Sequence, residues 1–353
     1  MNTTSGKILI TGASGSLGKQ LIYELDRHGV KPVAQVRESS STAYIDSLGL
    51  EKRVADLCNE AEVDKLAAGV DCIIHTAAWV NFRLGGLPQF KSINTLGAVD
   101  LFKAAQRAGV KRFVHVSTVA AVAALPRKLK GVTWDADTPT LANEDTPFNL
   151  EHLHIPYIIT KRVAEEELLK AATNTKTELV IVNPSIIVAP SRTGDDRGKA
   201  LKKFPRLLAP DFPNRVNLVD IRDLAPGIVA ALDKGRTGER YILCGDNITA
   251  KDLILAISSV LGRVPHLIRI PRPALNFAAR CSMVGRKLLR KRKISFYPDL
   301  VKMLDFDWAY SSAKARRELG YQTRSAHITL NDLLNNNFVG TYAKSTSDTP
   351  ASR

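Results

Sequence analysis

The chain has little of what marks several protein classes. Its 353 residues hold four cysteines, Cys58, Cys72, Cys244 and Cys281, so far apart that none forms the close pair used for metal binding or thiol redox chemistry. They read as reduced, buried thiols of a cytoplasmic protein, and no metal site is expected. No apolar run reaches the length of a bilayer span, and the opening MNTTSGKILI has no charged stretch leading into an apolar one. Neither membrane spanning nor secretion is therefore expected. No internal repeat occurs. No finger, basic-zipper or RNA-binding sheet signature accompanies the basic charge, so nucleic acid is not an expected partner.

What is present is an ordinary soluble composition. A hydrophobic content of 44% is enough for a sizeable core, in one large domain or two closely connected ones. The net charge is +15, and part of it is local: RKLLRKRK, residues 286–293, has six basic residues in eight beside the apolar stretch PALNFAARCSMVG. Two readings stand for that run, a solvated helix face or a peripheral contact with anionic membrane.

Along the first half, apolar runs alternate with helix-period segments. Strands are expected at 7–11, 31–37, 52–57, 70–78, 111–119 and 178–188, with helices at 15–29, 60–68, 88–109 and around residue 157. The missing hairpin signals leave one arrangement, an α/β doubly wound parallel sheet of the Rossmann kind. After Pro190 the sequence turns polar, basic and proline-rich, interrupted by VNLVDIRDLAPGIVAALDKG, which reads as a strand and helix returning to the main body. The expected division is a dinucleotide-binding domain over 1–190 plus about 215–245, and a smaller, mainly C-terminal substrate-binding portion over 191–214 and 246–340. The tail 341–353 is nearly free of apolar residues and is expected to be disordered.

ITGASGSLGKQ sets Gly12, Gly15 and Gly18 between the first strand and the first helix. Glycines there let the backbone turn tightly against a pyrophosphate, which then rests on the helix N-terminus. Gly12, Ser14, Gly15, Ser16, Leu17 and Gly18 are the expected cradle. The second strand ends AQVRESSS, where the adenosine ribose of a nicotinamide cofactor lies. Arg37 suits a 2′-phosphate and the serines at 39–41 add hydroxyls, while Glu38 works against them; NADP is favoured over NAD.

Tyr157 and Lys161 in YIITK stand four apart, on one helix face. Tyr310 and Lys314 in YSSAK share that spacing, so position must separate the pairs. Tyr310 follows neither a hydroxyl-bearing strand end nor the cofactor-binding half, and Ser311 or Ser312 reads as a helix cap.

Through these residues, the chain over roughly 6–335 resembles the extended short-chain dehydrogenase/reductase superfamily. TGASGSLG looks like its glycine turn and YIITK like its tyrosine–lysine pair. Asp56 in ADL, His75 in DCIIHTAA, Asn94 in INTLGAVDLFKAA, Ser117 and Thr118 in FVHVSTVAAV, and Pro184 in NPSIIVAP follow in the family's order. VR at the end of the second strand and SSAKARRELGYQTR look most like the dihydroflavonol reductase and 3β-hydroxysteroid dehydrogenase branch. The resemblance implies Tyr157 as general acid/base and Lys161 depressing its pKa while binding the nicotinamide ribose. It implies Thr118 orienting the substrate oxygen, with Ser117 as the adjacent alternative, and Asn94 supporting the lysine through water or serving a simple helix role. Asp56 with Leu57, Ala77 and Pro184 would meet the cofactor. Strand alternation lets only one of Ser117 and Thr118 face the cleft, and Thr118 is the expected one.

The expected activity is NADP-dependent hydride transfer to or from a ketone or secondary alcohol of a hydrophobic small molecule, sterol-, flavonoid- or keto-lipid-like. The alternative is a nucleotide-sugar epimerase with tightly held NAD, which shares the core apparatus. A non-catalytic NADP-binding regulator is the third reading. Sugar dehydratase chemistry is disfavoured because Val119 and Ala120, not acidic residues, follow Thr118. Residues near 80–86, 120–125 and 186–197 are expected to line the substrate pocket, and a homodimer is a further partner expectation.

Overall fold

The computed structural model describes residues 6–80, 86–126, 141–190, 208–212, 214–260, 266–289, 298–335, 338 and 341–342. Seven strands, β1 (Ile8–Thr11), β2 (Val33–Val36), β3 (Lys52–Val54), β4 (Cys72–His75), β5 (Arg112–Val116), β6 (Glu178–Pro184) and β7 (Arg240–Leu243), make one sheet. Their order is β7-β6-β5-β4-β1-β2-β3 and every pairing is parallel. Sequence succession reverses at β1, which has β2 on one side and β4 on the other. A doubly wound sheet binds its ligand at that switch, outside the carboxyl ends of the strands.

Helices cover both faces, so the inner strands are buried on both sides and read as unbroken apolar runs. Ile8, Ile10, Ile74, Val114 and Val182 pack against α1 (Ser16–Arg27) and α5 (Ile221–Lys234). The alternate residues Leu9, Ile73, Phe113 and Ile181 pack against α2 (Glu60–Ala67), α3 (Gly97–Arg107) and α4 (Pro156–Ala171). Between residues 87 and 107 the expected single helix contains a π-helical stretch, Lys91–Leu96, just before α3.

Several expectations change. The run at 178–188 is two strands, because β6 ends at Pro184, which has no N–H to continue a ladder. Ile186–Val188 then leaves to pair with Arg215–Asp220. That second strand does not return to the main sheet; it sits in a separate three-stranded sheet, antiparallel to Asp246–Thr249. The helix that follows it, α5, does return, and β7 supplies the seventh strand. Thr341 and Tyr342, assigned to a disordered tail, are buried instead. The Tyr342 ring stands 5.8 Å from that of Tyr44, and the Lys19 ammonium lies 5.6 Å from its centroid. One aromatic ring thus docks a segment that composition alone marks as polar. Residues 343–353 lie outside the described residues.

All four cysteines are free, but only Cys72 and Cys244 are buried; Cys58 and Cys281 are exposed. No described helix is long and apolar enough to cross a membrane. Residues 286–289 close the helix Arg272–Leu289, while the side chains of the basic run 286–293 lie outside what the structure describes.

Candidate active site

The glycine turn links β1 to α1. Gly12 adopts the left-handed conformation, at φ +67°, and a Cβ there would lie 3.0 Å from the backbone of Ala77. A Cβ on Gly18 would stand 2.4 Å from the Gly12 carbonyl oxygen. Those two glycines are therefore required by the turn itself. Gly15 is the N-cap of α1 and gives no side-chain cap to the amides of the first turn, where Ser16, Leu17 and Gly18 lie. With the positive end of the helix dipole they fit a pyrophosphate. Ser14 and Ser16 lie half-buried along the same turn.

Sequence reasoning missed Gln35. Its buried side chain accepts from the Gly12 N–H at 2.9 Å and donates to the Ala55 carbonyl at 2.8 Å, tying the turn to the ends of β2 and β3. The available signal was one amide inside the apolar strand VAQV. On the other side, Thr76 donates to the Thr11 carbonyl at 2.7 Å, and the Ala77 N–H approaches the Thr11 hydroxyl at 3.4 Å.

At the adenosine edge, Arg37 directly follows β2 and is exposed; its N–H donates to Ser40 Oγ at 3.1 Å, closing a short turn. Asp56, beyond β3, accepts from the Cys58 N–H at 3.0 Å and is exposed, whereas Leu57 is buried. The start of α3 presses close here, since a Cβ on Gly97 would lie 3.1 Å from the Leu57 carbonyl oxygen.

Pro156 opens α4 at its first turn, where no N–H is needed, and sets Tyr157 and Lys161 one turn apart. Lys161 is 1% exposed and donates Nζ to the Val116 carbonyl at 2.8 Å. Burial pulls its ammonium down to about 8, with Glu165 acting in the opposite direction. Tyr157 is half-buried, its ring edge-on to Phe90 at 6.4 Å, and the Thr118 hydroxyl acts on its phenol oxygen. Burial pushes the phenol above its ordinary value and the Thr118 bond opposes the rise; Lys161 is not among the groups acting on it. Desolvation, which disfavours the phenolate, is the larger of the two effects.

The two hydroxyls after β5 diverge as strand alternation requires. Thr118 Oγ1 meets Tyr157 and also accepts from the Ala120 N–H at 3.3 Å. Ser117 Oγ is buried without a partner. Asn94 sits in the π-helical stretch and clamps the Trp79 backbone, accepting from its N–H at 2.6 Å and donating to its carbonyl at 3.1 Å. Its side chain is therefore committed to that backbone. Pro184, at the end of β6, is paired across the sheet with Leu243.

His75 and His115 are in register and share the sheet face under α3 and α4, stacked at 5.4 Å. Thr11 Oγ1 meets His75 Nδ1 at 2.8 Å. Burial, followed by the Lys161 charge, holds both imidazoles far below their ordinary value, His75 at about 3.

The second tyrosine–lysine pair lies elsewhere. Tyr310 is buried and donates its hydroxyl to the Ala123 carbonyl at 2.8 Å, while Lys314 binds Glu239 and the Arg240 carbonyl. Ser311, not Ser312, accepts from a first-turn amide of the helix, that of Ala313. Of the expected pocket lining, Val80 and Ile186 are 58% and 53% exposed, but residues 120–124 are buried in a cluster that supports the start of α4. Residues 81–85 and 191–197 lie outside the described residues.

Comparison with known proteins places this arrangement. The chain is 29% identical over 330 residues to sterol demethylase protein B of Methylococcus capsulatus, covering 92% of this chain and 96% of that one. It is 30% identical over 331 residues to a putative dihydroflavonol 4-reductase of Synechocystis, covering 92% of each. The crystal structure of gox2253 superposes with a TM-score of 0.76 at 26% identity, covering 95% of this chain and 99% of that one. Residues 8–244 match the NAD dependent epimerase/dehydratase family. The chain belongs to that family, and with it to the extended short-chain dehydrogenases/reductases, as an NAD(P)-dependent oxidoreductase.

Proposed function

We propose that the chain is an NADP-dependent oxidoreductase that moves a hydride between nicotinamide and a ketone or secondary alcohol of a hydrophobic small molecule. The observation that carries this reading is that the Tyr157 phenol and the Thr118 hydroxyl act on one another beside buried Lys161, whose Nζ donates to the Val116 carbonyl at 2.8 Å. The cofactor supplies or takes the hydride, and the chain's residues manage the oxygen. Thr118 orients and polarises it. Tyr157, whose phenol is raised by burial, stays protonated at neutral pH and is the proton donor when a ketone is reduced. Lys161 remains largely charged below about pH 8 and holds the nicotinamide ribose hydroxyls. Asn94 fixes the Trp79 backbone at the cleft wall and Ser117 stays outside the reaction.

An apolar substrate is supported by Phe90 against Tyr157 and by the exposed Val80 and Leu87, 58% and 51% accessible. The names of the two relatives, a sterol demethylase protein and a putative dihydroflavonol reductase, point the same way. We place the substrate against the portion that begins with Ile186–Val188 and continues through the three-stranded sheet into the C-terminal helices. NADP over NAD rests on Arg37 at the end of β2, whose guanidinium matches a 2′-phosphate.

The test uses purified full-length protein. NADPH and NADH affinities are measured for wild type and Arg37→Ala, and turnover is followed on a panel of sterol, flavonoid and keto-lipid ketones. Tighter NADPH binding that Arg37→Ala weakens at least about tenfold, with turnover abolished by Tyr157→Phe, is the expected result. Non-exchanging NAD with turnover of a nucleotide sugar would replace this reading by the epimerase one.

A further inference from the structure

A second buried ionisable group lies one turn beyond Lys161. Glu165 is fully buried, and the four-residue step puts it on the helix face that carries Lys161. Its Oε1 accepts from Asn183 Nδ2 at 2.6 Å. The same Nδ2 donates to the Thr118 carbonyl at 2.9 Å. Its Oε2 stands 3.1 Å from a guanidinium nitrogen of Arg240. Three segments thus meet at one carboxylate, α4, β6 and β7, and Asn183 links it to the turn after β5 that carries Thr118.

Stability alone is a poor reason for this arrangement. Desolvating a carboxylate costs several kcal/mol, and well-packed apolar residues commonly replace buried ion pairs with little loss or some gain. What a carboxylate does here and a leucine cannot is provide an anion beside Lys161 and an acceptor that fixes the Asn183 amide. We propose that Glu165 is a positioning residue of the active site, holding the Thr118 backbone through Asn183 and supplying the anion that balances Lys161. The inference rests on the reading of Tyr157, Lys161 and Thr118 as the catalytic groups.

Among the described residues, few groups surround Lys161. Tyr157 and Glu165 face it from its own helix. His75 on β4 and His115 on β5 approach from the sheet and are kept neutral by burial, and β5 adds the Val116 carbonyl. Arg240 on β7 faces Glu165 from the far side. Glu165 is the carboxylate that acts on the Lys161 ammonium, and it raises it. Removing the Glu165 charge therefore lowers the pH at which Lys161 loses its proton. Removing the Arg240 charge leaves Glu165 without its competing cation and raises that pH.

The experiment titrates Lys161 directly, without any substrate, by NMR of full-length protein carrying 13Cε-lysine, the signal assigned by its loss in Lys161→Met. Glu165→Gln preserves shape and an acceptor for Asn183 while deleting the charge, and its Lys161 midpoint is expected about one pH unit lower than wild type. Arg240→Met is expected to move the midpoint upward. The titration reads the charge coupling, and the kcat loss on the ketone panel separates a positioning residue from a merely structural bridge. An unmoved midpoint in either folded variant, or shifts of the same sign, overturns the proposal; should Glu165→Gln not fold, Arg240→Met alone decides it. On the ketone panel, kcat of Glu165→Gln is expected to fall about tenfold with NADPH affinity within about twofold, and Glu165→Asp to recover part of the loss. If Tyr157→Phe keeps its turnover, the catalytic reading fails whatever the titration shows. If Tyr157→Phe is inactive and the midpoint does not move, only the role of Glu165 fails.

Discussion

The ammonium of Lys161 donates to the carbonyl of Val116 at 2.8 Å, pinning the helix that carries Tyr157 to the end of β5, two residues before Thr118. That hydrogen bond joins the helix of Tyr157 to the strand that leads to Thr118. It also places a charge in the core, and that has a measurable consequence.

Burial lowers the Lys161 ammonium from its usual 10.5 to about 8. Below pH 8 folded and unfolded chains both carry the proton, and the cost of burying the charge is paid in full. Between about pH 8 and 10.5 the folded chain releases a proton that the unfolded chain keeps, so this group's contribution to stability improves as pH rises through that window. Lys161→Met is therefore expected to be inactive yet to melt no lower than wild type at pH 7, and to lack the alkaline gain. Thermal melts of both proteins at pH 7 and 9.5 check this, and a midpoint more than about 5 °C below wild type at pH 7 would count against it.

The two tyrosine–lysine pairs separate by experiment as they do by position. Tyr157→Phe removes a hydroxyl that contacts Thr118 at the cleft, and is expected to reduce turnover by about 10²–10⁴-fold with little change in stability. Tyr310→Phe leaves the Ala123 carbonyl without its buried donor, and is expected to cost about 1–3 kcal/mol of stability with turnover within a few fold. Urea unfolding beside initial rates distinguishes the two.

Gly18→Ala is expected to abolish cofactor binding, because its Cβ would sit 2.4 Å from the Gly12 carbonyl oxygen and 2.7 Å from the Ala13 Cα. Both neighbours are backbone, so the turn itself must move. Gly29→Ala is the control: Gly29 has a positive φ of +74°, which Gly18 does not, but its Cβ would meet nothing within 4 Å. Strain of roughly 1 kcal/mol should lower its melting point while cofactor affinity, read by calorimetry, stays unchanged.

Acid is expected to destabilise the fold from about pH 6.5 downward. His75 is held at about 3 in the folded chain against an ordinary 6.5, so between those values the unfolded chain binds the extra proton and stability falls as pH falls. His75→Asn, which keeps a polar partner for Thr11, should flatten that slope. Melting points at pH 7, 6 and 5 that decline equally in both proteins would remove His75 as the cause.

The sequence by itself determined the parts of this protein that depend on local chain geometry. Strand–helix alternation gave the doubly wound sheet, since inner strands buried on both faces must be continuously apolar. Gly12 and Gly18 were legible because only glycine tolerates the left-handed turn and the close backbone approach. Tyr157 and Lys161 were legible because four residues are one helical turn. Tertiary structure alone decided what depends on residues far apart in the chain. It joined Glu165 to Asn183 and Arg240, turned the Asn94 amide onto the Trp79 backbone, sent Arg215–Asp220 into a second sheet, and docked Tyr342 against Tyr44. It also set the burial that pushes the Tyr157 phenol above its ordinary value. That balance depends on how deeply the phenol is desolvated, and desolvation is set by everything packed around a residue, which no local pattern encodes.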